Sequence, residues 1–472
     1  MEHHHYMQGR SHISARRLGM KYYIKFQNQA LTELRRNLLA DLSNEYYACL
    51  LAKTHTIADL CIITVVEAVY PDMSYYKRQG NVSLKVSWDF MREVLIEADS
   101  RIDVDTVIDV HTHPFSKSGA WFSSVDDRDE ETFAAYLNDK APELHYASIV
   151  FSQTNYQARY WSAGRKKRAV HYPAFIKTQK VSEAVPSSDE QAEQGDSDVD
   201  EMFSRSILAL GLDNMRRITS GQEITIAGVG GIGSIIAEHL VHMGFSRINL
   251  IDNDTLELTN LNRIAGVTYD DAAAGKVKVD VIRQHLKSIN PSAEVRAYNN
   301  SVFDPEVEEV IARSDWIMIA TDNHASRYKL QDLAFKYYVP FIAAGVNITV
   351  NDGVITDMSG EVILIRVGDK VCLTCLRRLK YNEIAKEIHP DVRVREGLVA
   401  RGYVTGRDVK EPAVKTLNTH IATMAVDVLV NQYTERERDA VILVYEDNGF
   451  PAVYEDTDSV NYRDMNCRVC DI

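Results

Sequence analysis

Three features of the sequence predict two α/β domains, the second built on a doubly wound parallel sheet. The chain has 472 residues, too many for one hydrophobic core. Residues 181–204 hold eight carboxylates and no Lys or Arg, set among Ser, Gln and Gly, which divides it. Beyond that divide, "EITIAGVGGIGSIIAEHLVHMGF" runs from an apolar strand through a glycine-rich turn into a helix, the opening of a parallel sheet. The expected boundaries are a ragged start over 1–19, a mixed α/β domain over 20–177, an acidic disordered linker over 178–202 and the doubly wound domain over 203–472. Such a tract extends by self-repulsion, so the halves are expected to be loosely tethered.

At 45% hydrophobic and 25% charged residues, the composition is that of a soluble protein. No apolar run reaches bilayer length and no signal-peptide core is present, which predicts a cytoplasmic protein without a membrane partner. A formal net charge of −14 argues against nucleic acid as a partner.

In the first domain, apolar runs predict strands at 46–52, 60–68 and 107–110, with a helix from Trp88 to about Asp99. A second helix is expected after Asp126, and strands at 146–152 and 157–161 complete the domain. The third strand ends in "DVHTHP". Alternate side chains of an extended segment point the same way, so His111 and His113 can share one ion, and Asp126 of "SSVD" can close the site. Taken alone, the pattern also suits polar residues at a strand end.

In the second domain, the strand from Glu223 meets Gly228, Gly230 and Gly233 at GxGxxG spacing, ahead of a helix whose N-terminus can receive phosphate. "RINLID" ends at Asp252, where a carboxylate meets a ribose hydroxyl. That much describes an NAD-binding Rossmann unit. Asn260, Arg263, Lys276 at the opening of the next helix, and Asp322 after the strand "WIMIA" have no evident role in hydride transfer. They suit a nucleoside triphosphate, whose phosphate charge needs cations and whose Mg²⁺ needs a carboxylate. Cys372 and Cys375 of "CLTC" and Cys467 and Cys470 of "CRVC" predict a four-thiolate structural zinc site. His55, His242, His285 and His420 lack ligand spacing and are read as structural, as are Cys49 and Cys61 on apolar stretches.

These motifs resemble, in order, the adenylation domain of ubiquitin-activating (E1-like) enzymes of the ThiF/MoeB type. The matching residues are Gly228-Val-Gly-Gly231-Ile-Gly233-Ser234, Asp252 with Asp254, Asn260-Leu-Asn-Arg263, Gly275-Lys276, Thr321-Asp322-Asn323 and both CxxC pairs. The resemblance implies that Asp252 binds the ribose of ATP, that Asn260, Arg263 and Lys276 bind its phosphates, and that Asp322 holds Mg²⁺. Asp254 is counted with these ATP-site residues, with capping or orienting the loop as its other reading. The family works as dimers, and Arg205 of "SRSILALG" would reach the partner subunit's site. Ile264 stands where the family has Gln. Leu376 to Asn466 contains no cysteine to accept the acyl group. The adenylate would pass to a separate E2-like carrier or small nucleophile, or Thr405 of "RGYVTGRD" would substitute.

"HTHP…WFSSVD" with Glu45 of "NEYYACLLA" resembles the HxH…SxxD signature of JAMM (JAB/MPN+) zinc isopeptidases, a cytidine-deaminase-like fold. The resemblance implies that His111, His113 and Asp126 bind a catalytic zinc, that Glu45 accepts the proton of a water, and that Ser123 donates to the oxyanion. Ser124 with Asp127 offers a second register, and Glu67 is a rival for Glu45.

Together the resemblances imply a bifunctional enzyme of a bacterial ubiquitin-like pathway, of a kind associated with antiphage defence. It would use ATP, Mg²⁺ and two zinc ions on a ubiquitin-like protein with an extended glycine-containing tail. Adenylation of a peptide or sulfur carrier, with the zinc domain releasing the cargo, is the alternative. An NAD oxidoreductase or a noncatalytic scaffold accounts for fewer of the residues.

Overall fold

The computed structural model describes residues 19–81, 83–116, 119–163, 169–189, 201–388, 412–434, 436 and 441–470. In the first unit the elements run β1 (Lys21–Lys25), α1 (Ala30–Leu38), β2 (Tyr47–Ile57), β3 (Leu60–Val69), β4 (Tyr76–Gln79), β5 (Leu84–Val86), α2 (Trp88–Ser100), β6 (Thr106–Thr112), α3 (Ser124–Lys140), β7 (His145–Phe151), β8 (Tyr156–Ala163) and β9 (Ala169–Lys177). Seven of these strands close a barrel in the order β1-β3-β2-β6-β7-β8-β9. The period-two alternation of β2 explains its two faces. Ala48, Leu50 and Ala52 pack with α1, while Cys49 and Leu51 pack with α2 and α3. The expected strands and helices are present. The barrel closes through β1 and β9, which the sequence pattern does not mark; Pro173 inside β9 removes a ladder donor and disguises that strand.

The second unit runs α4 (Ser204–Leu210), α5 (Leu212–Thr219), β10 (Glu223–Ala227), α6 (Gly233–Met243), β11 (Arg247–Ile251), α7 (Tyr269–Ala273), α8 (Lys278–Ile289), β12 (Glu294–Tyr298), α9 (Pro305–Arg313), β13 (Trp316–Ile319), α10 (His324–Lys336), β14 (Phe341–Asn351), β15 (Val354–Ile365), α11 (Tyr381–Glu387), α12 (Lys415–Asn431), β16 (Ile442–Asp447), β17 (Pro451–Glu455) and α13 (Thr457–Asn461). Its sheet has the order β12-β11-β10-β13-β14-β15-β16-β17. The first five strands are parallel and the last three antiparallel. Strands buried on both faces read as unbroken apolar runs, as in β13; β10 is equally buried but carries Glu223 and Thr225, both hydrogen-bonded. The chain moves outward from β10 through β11 to β12 and then returns to place β13 on the other side of β10. The strand order reverses there, which opens a crevice at the carboxyl ends of β10 and β13.

Two expectations about the joint between the units are overturned. Residues 178–189 of the expected linker are packed: Tyr156 N donates to Pro186 O at 3.2 Å, and Ser188 Oγ donates to Ala120 O at 2.7 Å. Val181 and Val185 supply apolar anchors that the acid count conceals. Nor are the halves loosely tethered. The Lys177 ammonium donates to Asp315 at 2.5 Å, and Arg313 pairs with Asp59. Gln179 clasps Val367, donating to its carbonyl at 2.8 Å and accepting from its amide at 2.7 Å. Leu60 and Ile62 of β3 enter the same apolar cluster as Ile363 and Phe335 of the second unit. Among the described residues no helix is long and apolar enough to cross a membrane.

Candidate functional site

The structure brings two separate clusters together. In the first unit, β6 ends at Thr112, so His111 is its penultimate residue and His113 follows it. Register pairs Tyr47 with His111, which sets Glu45, just ahead of β2, beside the two histidines. His113 Nε2 lies 3.9 Å from Glu45 Oε1, and His111 Nε2 lies 3.6 Å from Asp126 Oδ1. The ligand atoms of His111, His113 and Asp126 all fall within 4.8 Å of one another. His111 Nε2 and His113 Nδ1 are buried without a hydrogen-bond partner, an expensive state for ring nitrogens unless an ion takes them.

Helix α3 opens at Ser124, before Asp126 rather than after it, because Ser123 caps it. Ser123 Oγ accepts from Asp126 N at 3.3 Å, and Asp126 Oδ2 accepts from Ser123 N at 2.6 Å, a reciprocal capping box. The Ser-x-x-Asp spacing therefore also serves the helix terminus. The alternative register fails: Asp127 faces away and pairs with Arg159 at 2.6 Å. Glu67 is exposed and paired to Arg101, far from this role. Burial lifts Glu45 to about 7, where a carboxylate can take a proton near neutral pH. Burial, with the neighbouring His111, drops His113 to about 4 and keeps it neutral, the form that can ligate a metal. Burial works against the charge on Asp126, but His111 and Ser123 outweigh it and hold the carboxylate far below its usual range.

The second cluster lies at the reversal of strand order. Gly228 adopts φ +84°, and an added Cβ would stand 2.9 Å from Ala320 O. A Cβ on Gly233 would overlap the Gly228 carbonyl oxygen, so the turn between β10 and α6 tolerates no side chain at either end. Nothing stands above Gly230. Asp252, at the end of β11, accepts from Val229 N at 2.9 Å and from Asp254 N at 2.9 Å, and burial raises its pKa. Asn260 is buried and accepts from Glu257 N at 3.0 Å. Arg263 donates to Thr259 O at 2.7 Å, its stem passing over Gly231. Asp322 stands exposed two residues past Ala320, whose amide joins it to β10 at 2.9 Å.

Lys276 is not brought to this cluster. Its ammonium pairs with Asp271 at 2.7 Å and its side chain is 52% exposed. Gly275 takes φ +62°, and Lys276 and Val277 stay extended against Leu256 and Thr255, so α8 opens two residues later than expected. Lys278 occupies the interior instead: 11% exposed, it pairs with Asp254 at 2.6 Å and acts electrostatically on Asp252. Sequence reasoning missed it, although the Lys-Val-Lys repeat held both candidates. Arg327, also missed, donates to Thr321 O at 2.9 Å and Ala344 O at 3.1 Å, tying β14 to the loop that carries Asp322. Arg205 is exposed on α4. Thr405 lies outside the described residues. The four paired cysteines are buried, with Cys372 Sγ to Cys467 Sγ at 3.6 Å and Cys470 Sγ to Cys375 Sγ at 3.9 Å. A tetrahedron of thiolates around zinc has edges of about 3.8 Å, so the donor set fits that ion.

A doubly wound sheet with a glycine-rich turn, a carboxylate bonded to that turn and a second carboxylate across the reversal defines a nucleotide-using domain. Residues 203–469 match the family model "ThiF family", and the chain belongs to that family. Its second unit is an adenylyltransferase domain. Over 179 residues it is 30% identical to the molybdopterin-synthase adenylyltransferase of Escherichia coli (strain K12), covering 38% of this chain and 68% of that protein. Over 207 residues it is 28% identical to ubiquitin-like modifier-activating enzyme 5 of Oryza sativa subsp. japonica, spanning 41% of this chain and 46% of that protein. Among solved structures it is similar to E. coli MccB with ATP, at 19% identity and a TM-score of 0.43, over 57% of this chain and 74% of that one.

Proposed function

We propose that the second unit uses ATP to adenylate the C-terminal carboxylate of a ubiquitin-like protein. The observation that carries this reading is the convergence of the Gly228–Gly233 turn, Asp252 and Asp322 on one crevice. A carboxylate oxygen attacks the α-phosphorus, the bond to the β-phosphate breaks, and pyrophosphate leaves with the electron pair. Charge shifts among phosphate oxygens, so positioning and cations suffice for catalysis. Asp252 holds the ribose, and Asn260 and Arg263 flank the phosphates. Lys278 takes the place expected of Lys276, and Asp322 would hold Mg²⁺. Arg205 would act across a homodimer from the exposed α4. The acyl group then passes to a separate carrier or to Thr405. One relative is named for molybdopterin synthase and the other for a ubiquitin-like modifier, which supports a small carrier protein as substrate and keeps a sulfur carrier as the alternative.

The test is ATP–pyrophosphate exchange with small proteins encoded beside this one. Exchange should require an intact C-terminal tail and fall at least a hundredfold in Asp322→Ala, the scale of a lost charge contact in a transition state. Exchange with a peptide or metabolite but no protein would replace the substrate class.

The orphaned nitrogens of His111 and His113 favour a second activity, hydrolysis of a ubiquitin-like peptide or isopeptide bond in the first unit. His111, His113 and Asp126 would hold zinc, which when bound acidifies water toward pKa 7 and polarises a carbonyl. Glu45 takes the proton of the attacking water and Ser123 Oγ donates to the developing oxyanion. Cys372, Cys375, Cys467 and Cys470 would hold a second, structural zinc. Glu45→Gln should retain zinc by elemental analysis yet lose cleavage of a ubiquitin-like fusion; retained cleavage would remove Glu45 from the chemistry.

A further inference from the structure

We propose that Asn418 is a further nucleotide-binding residue, whose side-chain amide donates a hydrogen bond to a phosphate oxygen of ATP seated over the glycine turn. The inference rests on the adenylation reading and adds a contact from an element that reading does not use. Asn418 stands in the first turn of α12, a helix packed against α6, β14 and β15. It is 3% exposed. An asparagine so deeply buried ordinarily spends its amide on protein partners, because an unmade hydrogen bond costs the full desolvation of the group. Among the described residues the side chain of Asn418 makes none; its bonds are those of the backbone, the amide donating to Val414 O at 3.1 Å.

The amide is also aimed. Asn418 Nδ2 lies where a side chain on Gly231 would begin, against the α-carbon of the turn that ends at the N-terminus of α6. Arg263 flanks the same point, its Cδ 3.2 Å from that position. Beside it the face of Gly230 is open. A phosphate drawn to the amides of this turn and to the positive end of an 11-residue helix therefore comes to rest within reach of Asn418. Two cations of the cluster are already engaged. Arg263 is bonded to Thr259 O and to Asn262, and Lys278 to Asp254. A neutral amide suits the position: it fixes an oxygen in direction without adding positive charge that would hold back departing pyrophosphate.

The test measures binding of α,β-methylene ATP with Mg²⁺ to the full chain by calorimetry, in wild type, Asn418→Ala and Asn418→Asp. Loss of a hydrogen bond to a charged group should raise Kd roughly tenfold in Asn418→Ala. Asn418→Asp, nearly identical in volume, should weaken binding further by setting a carboxylate against the phosphates, while the nucleotide-free unfolding midpoint stays near that of wild type. If Asn418→Ala packs poorly and melts early, Asn418→Asp decides. Values of Kd within twofold of wild type in a folded Asn418→Asp overturn the proposal and leave adenylation intact. A wild-type chain that fails to bind the analogue overturns the adenylation reading itself, and the proposal with it. Normal analogue binding with lost pyrophosphate exchange also overturns it, assigning the amide to the incoming carboxylate instead.

Discussion

Lys276 and Lys278 are two residues apart and chemically identical, yet their surroundings divide their roles. A pair such as Lys276–Asp271 contributes little to binding, since water screens the half-exposed lysine, which keeps its freedom. Lys278 is held beside Asp254 in a largely buried place, where its charge acts through a lower dielectric. Pyrophosphate exchange by Lys278→Ala should fall at least a hundredfold, while Lys276→Ala stays within about threefold of wild type. The reverse ranking would return the phosphate-binding role to Lys276. The sequence could not separate the two, because which lysine turns inward depends on where α8 begins, and that depends on the left-handed Gly275 and on pairing with Thr255. Positions fixed by local geometry were legible. Gly228, Gly233 and Asp252 follow a strand-turn-helix pattern in which backbone crowding and strand ends leave little choice.

At the scale of elements, α3 carries Asp126 and is capped by Ser123, and its seating decides whether Asp126 meets His111 and His113. Arg159 of β8 is the clamp. Its guanidinium lies 3.7 Å from the centroid of Phe122, donates to Glu130 at 2.9 Å and pairs with Asp127 at 2.6 Å. Glu130 also accepts from Trp161 Nε1 at 2.9 Å and from Ser148, so a buried carboxylate and a buried cation join α3 to β7 and β8. Removing one partner strands the other. Arg159→Met should therefore destabilise the first unit by about 3–5 kcal/mol in denaturant unfolding and lower zinc retention at His111 and His113. A variant as stable as wild type would show that Arg159 is dispensable to the seating. The short spacing of His111, His113 and Asp126 marked that cluster in the sequence but not this clamp, whose members lie far apart in the chain and meet only when β8 pairs with β7. The Ser-x-x-Asp motif was ambiguous for the opposite reason: one spacing answers both to a helix cap and to a metal site.

For the whole molecule, the telling residue is Lys25, buried where the two units meet. Acid composition suggested a flexible tether, and composition reports solvation of a segment, not the surface complementarity of what lies on either side. Here Lys25 is 5% exposed, and burial, with the nearby Lys177, lowers it from its ordinary range to about 7, Asp315 acting in the opposite sense. In the unfolded chain the same lysine titrates near 10.4. Below pH 7 both states carry the proton and the folded protein bears the full penalty of a buried charge. Between about 7 and 10.4 the folded lysine is neutral while the unfolded chain still binds the proton, so unfolded protein holds more protons and stability increases with pH. The unfolding free energy of the full chain should thus rise from pH 7 to pH 9, against the ordinary expectation of a plateau. Lys25→Met, which keeps the length of the side chain without a titrating group, should be more stable than wild type at pH 7 and lose that part of the rise. Equal slopes in the two proteins would mean that Lys25 keeps its proton in the joint, compensated by Asp315, and that the coupling of the two units is insensitive to pH over this range.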